Sequence, residues 1–100
     1  MVLTALAGEE RLHGYAITQE VERLSAGRLR LRAGTLYAAL DRLAAEGLVV
    51  AVSDDVVDGR FRRYYALSED GRRALAREAE ERSRVSREAL RRLSLAGGLG

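Results

Sequence analysis

Residues 34 to 67 constrain this chain more than any other stretch. GTLYAALDRLAAEGLV spaces Leu36, Leu40 and Leu43 at i, i+4 and i+7, which predicts a core helix over about Gly34 to Glu46, with Gly47 as its left-handed stop. The spacing then switches at once to period two. LVVAVS, the turn region DDVVDG and RFRRYYAL read together as a β-hairpin. In the second strand Phe61, Arg63, Tyr65 and Leu67 share one face, and Arg60, Arg62, Tyr64 and Ala66 the other. Tyr65 and Leu67 are assigned to the core, Arg62 and Tyr64 to the outside.

The flanks are helical. VLTALA at 2 to 7 predicts a short apolar helix ended by Gly8. GYAITQEVERL brings Tyr15, Ile17, Val21 and Leu24 close to one face, a second helix that Ser25-Ala26-Gly27 terminates. Tyr15 is placed in the core, and His13 is read as a packing or capping residue rather than a ligand. RLRLR at 28 to 32 alternates strictly, turning Leu29 and Leu31 one way and Arg28, Arg30 and Arg32 along one edge. Ser68 is a good N-cap for a long last helix from about Arg72 to Leu95, and residues 96–100, AGGLG, are expected to be a frayed, flexible tail.

At 100 residues with 47% hydrophobic side chains the chain is a single-domain globular length. A domain this small buries roughly 60 to 65% of its unfolded surface, so a helix with an uncovered apolar stripe would find its cover in a second copy. The last helix carries such a stripe in Leu75, Ala79, Ser86, Ala89, Leu90 and Leu93, interrupted by Arg82, and we expect it to be a dimer seam. The longest apolar run is LVVAV and MVLTALAG lacks the charged start of a secretion signal, so a soluble, cytoplasmic protein with no membrane contact is expected. Cysteine is absent and histidine single, which removes disulfides, thiol nucleophiles and multi-histidine metal sites. With no nucleophile-base or carboxylate pair standing out, the chain is read as a non-enzyme without a cofactor.

The net charge is only +2, but its distribution is uneven. Residues 23 to 42 hold five arginines against Asp41, and 60 to 67 add three arginines and no acid. The field is therefore local. All seventeen basic residues are arginine, which a GC-rich genome would also produce, so only the clustering is informative.

Helix, helix, short extended link, helix and hairpin is the order of a winged helix-turn-helix, whose third helix enters the DNA major groove. The expected fold class is mainly α with a small β-hairpin wing (α+β), with residues 1–67 as the DNA-binding domain and 68–95 as a dimerisation helix. On the third helix Gly34, Ala38, Asp41, Arg42 and Ala45 point away from the core leucines; small residues allow close approach, and Ala38 could meet a thymine methyl. Thr35 and Tyr37 flank that face within reach of phosphates. With Arg28, Arg30, Arg32, Arg60 and Arg62 they complete the candidate DNA contacts.

HGYAITQEVE, AGTLYAALDRLAAEGLV and RRYYALSEDGRRAL resemble the corresponding segments of the PadR family of bacterial transcriptional regulators, usually repressors, over about Leu3 to Leu93. That resemblance implies a dimer held by the C-terminal helix with help from the first, bound to a two-fold-symmetric operator. It also leaves room for a small-molecule effector, although no aromatic clamp for one is visible. The chain departs from the family in four places. Arg32-Ala33 stands where Ser-Pro is common, losing a cap and setting a cation against the helix dipole. Asp41 occupies an often basic position, where it either accepts from a cytosine amino group or repels the backbone. The wing tip opposes Asp54, Asp55 and Asp58 to Arg60, Arg62 and Arg63, which argues against deep insertion of the wing. The N-terminus starts later than usual, leaving little first-helix contact for a dimer. The alternative reading is a winged helix that binds protein instead of DNA.

Overall fold

The computed structural model describes residues 1–97. In chain order these form α1 (Val2–Ala7), β1 (Leu12–His13), α2 (Gly14–Leu24), α3 (Ala33–Ala45), β2 (Val49–Val57), β3 (Arg60–Leu67) and α4 (Glu69–Gly97). The three helices before the wing close on one core of Ala5, Leu6, Ile17, Val21, Leu36 and Leu40, capped by Val49, Tyr65 and Leu67 from the wing base. Ile17 and Val21, like Leu36 and Leu40, are one helical turn apart, so each helix buries one narrow stripe and leaves the rest of its surface free. Leu43 is half-buried at the edge of this cluster.

The sheet has three antiparallel strands in the order β1-β3-β2, one more than the expected hairpin. Two residues make the extra strand: Leu12 pairs with Tyr65 and His13 with Tyr64. So short a segment carries no readable alternation. The hairpin turn is also tighter than DDVVDG suggested. Asp54 to Val57 continue β2, and only Asp58 and Gly59 turn the chain, both at positive φ (52° and 75°) as a two-residue type I′ turn requires. A bulge at Val52, between the Ala51–Tyr65 and Ser53–Tyr64 pairs, shifts the register of the outer wing.

Tyr65 and Leu67 are buried as expected, and Ala66 joins them. Arg62 and Tyr64 are not simply outside; both are half-buried, because β1 lies along that edge of the sheet and its side chains cover them. Tyr15, assigned to the core, is 69% exposed. It sits at the second position of α2, where Gly14 rather than Tyr15 faces inward, and Ile17 supplies the first buried side chain of the stripe.

The end of α3 is closed by a Schellman arrangement, with the Leu48 amide donating to the Leu43 carbonyl and the Gly47 amide to that of Ala44 (2.9 and 3.0 Å), Gly47 taking φ 77°. Its geometry continues into α4. The Ser68 hydroxyl accepts from the Gly71 amide (2.9 Å) as an N-cap and donates to the Gly47 carbonyl (2.5 Å), while the Ser68 amide donates to the Leu48 carbonyl (3.0 Å). The cap therefore starts α4 at Glu69, three residues before Arg72, and takes Gly71 into its first turn. The helix also runs past Leu95 through Gly97, so Ala96 and Gly97 of the expected tail are helical; residues 98–100 lie outside the described residues.

Gly71 is buried, and a Cβ on it would collide with the Leu48 carbonyl, a backbone group that cannot turn away. Alanine would gain about 1 kcal/mol of helix propensity there, but forcing apart α4 and the β2 foot costs about 1–3 kcal/mol or more. Gly71→Ala is expected to be destabilising in urea denaturation. A variant as stable as the parent would show that α4 does not pack on Leu48 as described.

Candidate nucleic-acid interface

On α3 the residues opposite Leu36 and Leu40 are open to solvent: Gly34, Thr35, Ala38, Asp41, Arg42 and Ala45 are all exposed. The helix starts at Arg32, whose extended backbone (φ −80°, ψ 154°) makes no side-chain cap, and no acid lies in the first turn. Its first amides and the positive end of its dipole are thus uncompensated by the chain's own carboxylates. Tyr37 is 43% exposed and lies with its phenol against Gly14, where a Cβ would come 2.5 Å from the hydroxyl oxygen. Its ring packs on the domain while its edge faces solvent.

The Arg28–Arg32 segment does not keep its expected alternation. Leu31 packs against the core, but Leu29 is 44% exposed. The Ser25 hydroxyl accepts from the Leu29 amide (2.9 Å) and the Arg28 amide donates to the Ser25 carbonyl (3.2 Å), so the start of this link coils as a turn on the end of α2 instead of extending. Arg30 folds back onto Glu22 (3.0 Å) and leaves the proposed row. Among the described residues Arg28, Arg32, Arg42, Arg60 and Arg62 have no carboxylate within ion-pair distance, in contrast to Arg23 and Arg63. Being exposed, such pairs contribute little to stability. They decide which cations remain available.

Two of the three wing acids are paired. Asp54 pairs with Arg63 (3.3 Å), and Asp55 with Arg11 (3.5 Å), a residue that sequence reasoning passed over because nothing in its spacing ties it to a segment 44 positions away. Arg11 also donates to the Ser53 hydroxyl and lays its guanidinium over the Tyr64 ring, 4.1 Å from the centroid. Beyond this, Val56 and Phe61 face each other near the tip and stay largely exposed.

Because β1 ends at His13, opposite Tyr64, residues 60 to 63 of β3 have no strand beside them on that edge. A cleft of about 510 Å³ opens there, between the start of α2, Tyr37 of α3 and the β3 edge, and no carboxylate lines it. His13, Tyr15 and Tyr37 form one side and Arg60, Arg62 and Arg63 the other. Only Tyr37, Arg60 and Arg62 of this set were candidate contacts from the sequence. His13 caps α2, its Nδ1 accepting from the Ala16 amide (3.3 Å), as the capping reading expected. Its Nε2 lies 3.3 Å from an Arg62 Nη atom, and its ring stands edge-on to Tyr64 with centroids 5.5 Å apart. Burial pushes the His13 imidazolium below its ordinary pKa of 6.5, and the neighbouring Arg62 charge adds to the effect.

Along α4 the stripe divides. Leu75 is half-buried against the core of its own chain, because the helix has not yet left the winged domain at that point. Ala79, Ser86, Ala89, Leu90 and Leu93 are exposed, and Val85 and Leu95, which the sequence stripe omitted, are exposed with them. Arg82, which interrupts the stripe, is held by Glu78 one turn back (2.5 Å). No helix among the described residues is long and apolar enough to cross a membrane.

These features can be set beside known proteins. The chain is 39% identical to the transcriptional regulator Rv3488 of Mycobacterium tuberculosis over 94 residues, which span 94% of this chain and 84% of that protein. A PadR family transcription regulator from Clostridium difficile superposes with a TM-score of 0.73 at 24% identity, over 92% of this chain and 93% of that one. The complex structure of hsRosR-S1 matches with a TM-score of 0.62 at 28% identity, over 99% of this chain and 89% of that chain. The family model described as the transcriptional regulator PadR-like family matches residues 2–77. The chain belongs to the PadR-like family of transcriptional regulators.

Proposed function

We propose that this regulator is a repressor that binds a two-fold-symmetric DNA operator as a homodimer, working in the cytoplasm. In this reading residues 1–67 bind DNA and 68–95 join the two copies. The observation that carries the proposal is the exposed face of α3, where Gly34, Ala38 and Ala45 keep the helix surface low around Asp41 and Arg42. A helix so trimmed can sit deep in the major groove, with Ala38 against a thymine methyl and Arg42 within reach of a guanine edge. Thr35 and Tyr37 flank it at phosphate height, and Arg28, Arg32, Arg60 and Arg62 supply charge that no internal acid neutralises. With Asp54 paired to Arg63 and Asp55 to Arg11, the unpaired cations that the wing presents are Arg60, beside the Asp58-Gly59 turn, and Arg62. Membership of the family is consistent with a regulatory role, and the similar hsRosR-S1 was solved as a complex.

The dimer follows from the outer half of α4. Leu90 and Leu93 are 66% and 64% exposed on the same face as Ser86 and Ala89, and ion pairs along the helix, such as Arg84–Glu81 and Arg92–Glu88, add only a few tenths of a kcal/mol each, about 0.2–0.5, to its stability. A row of aliphatic side chains on a helix that has left its own domain is stabilised by a second copy across a two-fold axis.

Duplex binding should weaken steeply with salt, with a slope of about 0.9 per phosphate neutralised, in filter or fluorescence assays on genomic fragments. A salt-independent affinity would favour a protein partner over DNA. Arg42→Ala should cost about 1–3 kcal/mol at one base position and relax preference there, leaving the salt slope unchanged. A uniform loss over all sequences, with the slope reduced by about one, would make Arg42 a phosphate contact instead.

The double variant Leu90→Asp with Leu93→Asp buries two unpaired charges in the seam and should sediment as a monomer, with its circular dichroism largely kept and operator binding lost. Persistence of the dimer would move the interface to another surface.

A further inference from the structure

The environment of His13 contains a donor conflict. Nδ1 accepts from the Ala16 amide, and that amide is fixed in the first turn of α2, whereas the Arg62 guanidinium can turn to solvent. The cap therefore dictates the tautomer. In the neutral ring the proton must sit on Nε2, and Nε2 is the atom that faces Arg62 at 3.3 Å. Two N–H donors thus meet with no acceptor between them. The other groups around the ring do not resolve the conflict. Tyr64 offers its ring, Arg11 lies over Tyr64 and is held by Asp55, and the rest of the cleft is lined by Tyr15, Tyr37, Arg60 and Arg63, with Arg63 held by Asp54.

With the Arg62 guanidinium turned outward, an anionic oxygen seated beside it and His13 Nε2 would accept from both, and the cleft has room for one phosphate with its flanking sugars. We infer that His13 Nε2–H and Arg62 together hold one backbone phosphate of the bound duplex, and that DNA binding thereby favours uptake of a proton by His13. This rests on the DNA-binding reading above and adds a specific phosphate contact and a proton linkage to it. The sign follows from charge. The second proton enters on Nδ1 and displaces the Ala16 amide, so in the free protein burial, Arg62 and the cap all oppose the imidazolium; a phosphate at the same place attracts it and offsets the Arg62 charge, a larger effect than the one cap bond given up. Affinity for duplex therefore rises as the pH falls through the titration range of histidine, while the carboxylates remain ionised.

His13 is the only histidine, so a single ring is followed in histidine-labelled NMR. In the full-length protein the free state should show an unprotonated Nδ1 and a protonated Nε2. Addition of a short random-sequence duplex at low salt should raise the His13 midpoint by about one unit, a tenfold gain in proton affinity. Duplex affinity should then rise several-fold between about pH 7 and about pH 5.5. The variant His13→Asn keeps an N-capping oxygen for the Ala16 amide but cannot titrate, and should bind with little pH dependence over that range. Arg62→Gln should abolish most of the duplex-induced shift.

Duplex bound with the His13 titration unmoved would overturn this inference and leave the DNA-binding reading standing, as would an unchanged pH dependence in His13→Asn. An equal shift produced by millimolar inorganic phosphate alone would overturn the assignment to the DNA backbone. Failure to retain any duplex at low salt would instead defeat the reading of the preceding subsection.

Discussion

The arrangement of the chain depends on one small junction, where the hydroxyl of Ser68 donates to the Gly47 carbonyl and accepts from the Gly71 amide. Gly47 ends α3, Val49 and Leu67 pair at the foot of the wing, and Gly71 lies in the first turn of α4. One side chain therefore links the end of α3 to the start of α4 at the wing's base. Gly71 lets α4 lie against the Leu48 carbonyl, and the Ser68 amide bonds that same carbonyl. Backbone groups at two helix ends are thus satisfied through one hydroxyl. The direction in which α4 leaves the domain, and so the placing of its exposed aliphatic row, follows from this contact.

Electrostatics makes a second division. Asp54 is held by Arg63, Asp55 by Arg11, and Glu22 by Arg30, whereas among the described residues Arg28, Arg32, Arg42, Arg60 and Arg62 have no carboxylate within ion-pair distance. A net charge of +2 conceals this, because the sum counts paired and unpaired groups alike. The local field is carried by the cations that geometry leaves without a partner, Arg28, Arg32, Arg42, Arg60 and Arg62 among them.

Much of the fold was legible from spacing. The stripes of Ile17 and Val21 and of Leu36 and Leu40, the stop at Gly47, the cap at Ser68 and the alternation of Tyr65 and Leu67 are local signals, each written within one or two turns of chain. The exposed face of α3 was legible for the same reason, since a helix that buries two leucines must turn its other residues out. What failed were inferences about which neighbour covers a side chain. Tyr15 fits the apolar face of α2 on a helical projection, yet it sits at the first turn on the rim of clefts it shares with Tyr37 of α3, and so stays 69% exposed. Leu29 alternates properly, but an extended link with no strand beside it has no reason to keep its alternation.

The sequence by itself determined the helices, the hairpin, the helix stops and the family, because these depend on residues close together in the chain and on their order. Tertiary structure alone decided the third strand, the pairing of Arg11 with Asp55, and the meeting of His13 with Arg62 across 49 positions. Those contacts rest on a two-residue strand, too short to announce itself, that is held beside the hairpin by the packing of α1, α2 and the hairpin around a shared core. Short strands take their stability from the sheet they join. The site that strand helps to build could therefore be seen only once the chain was folded.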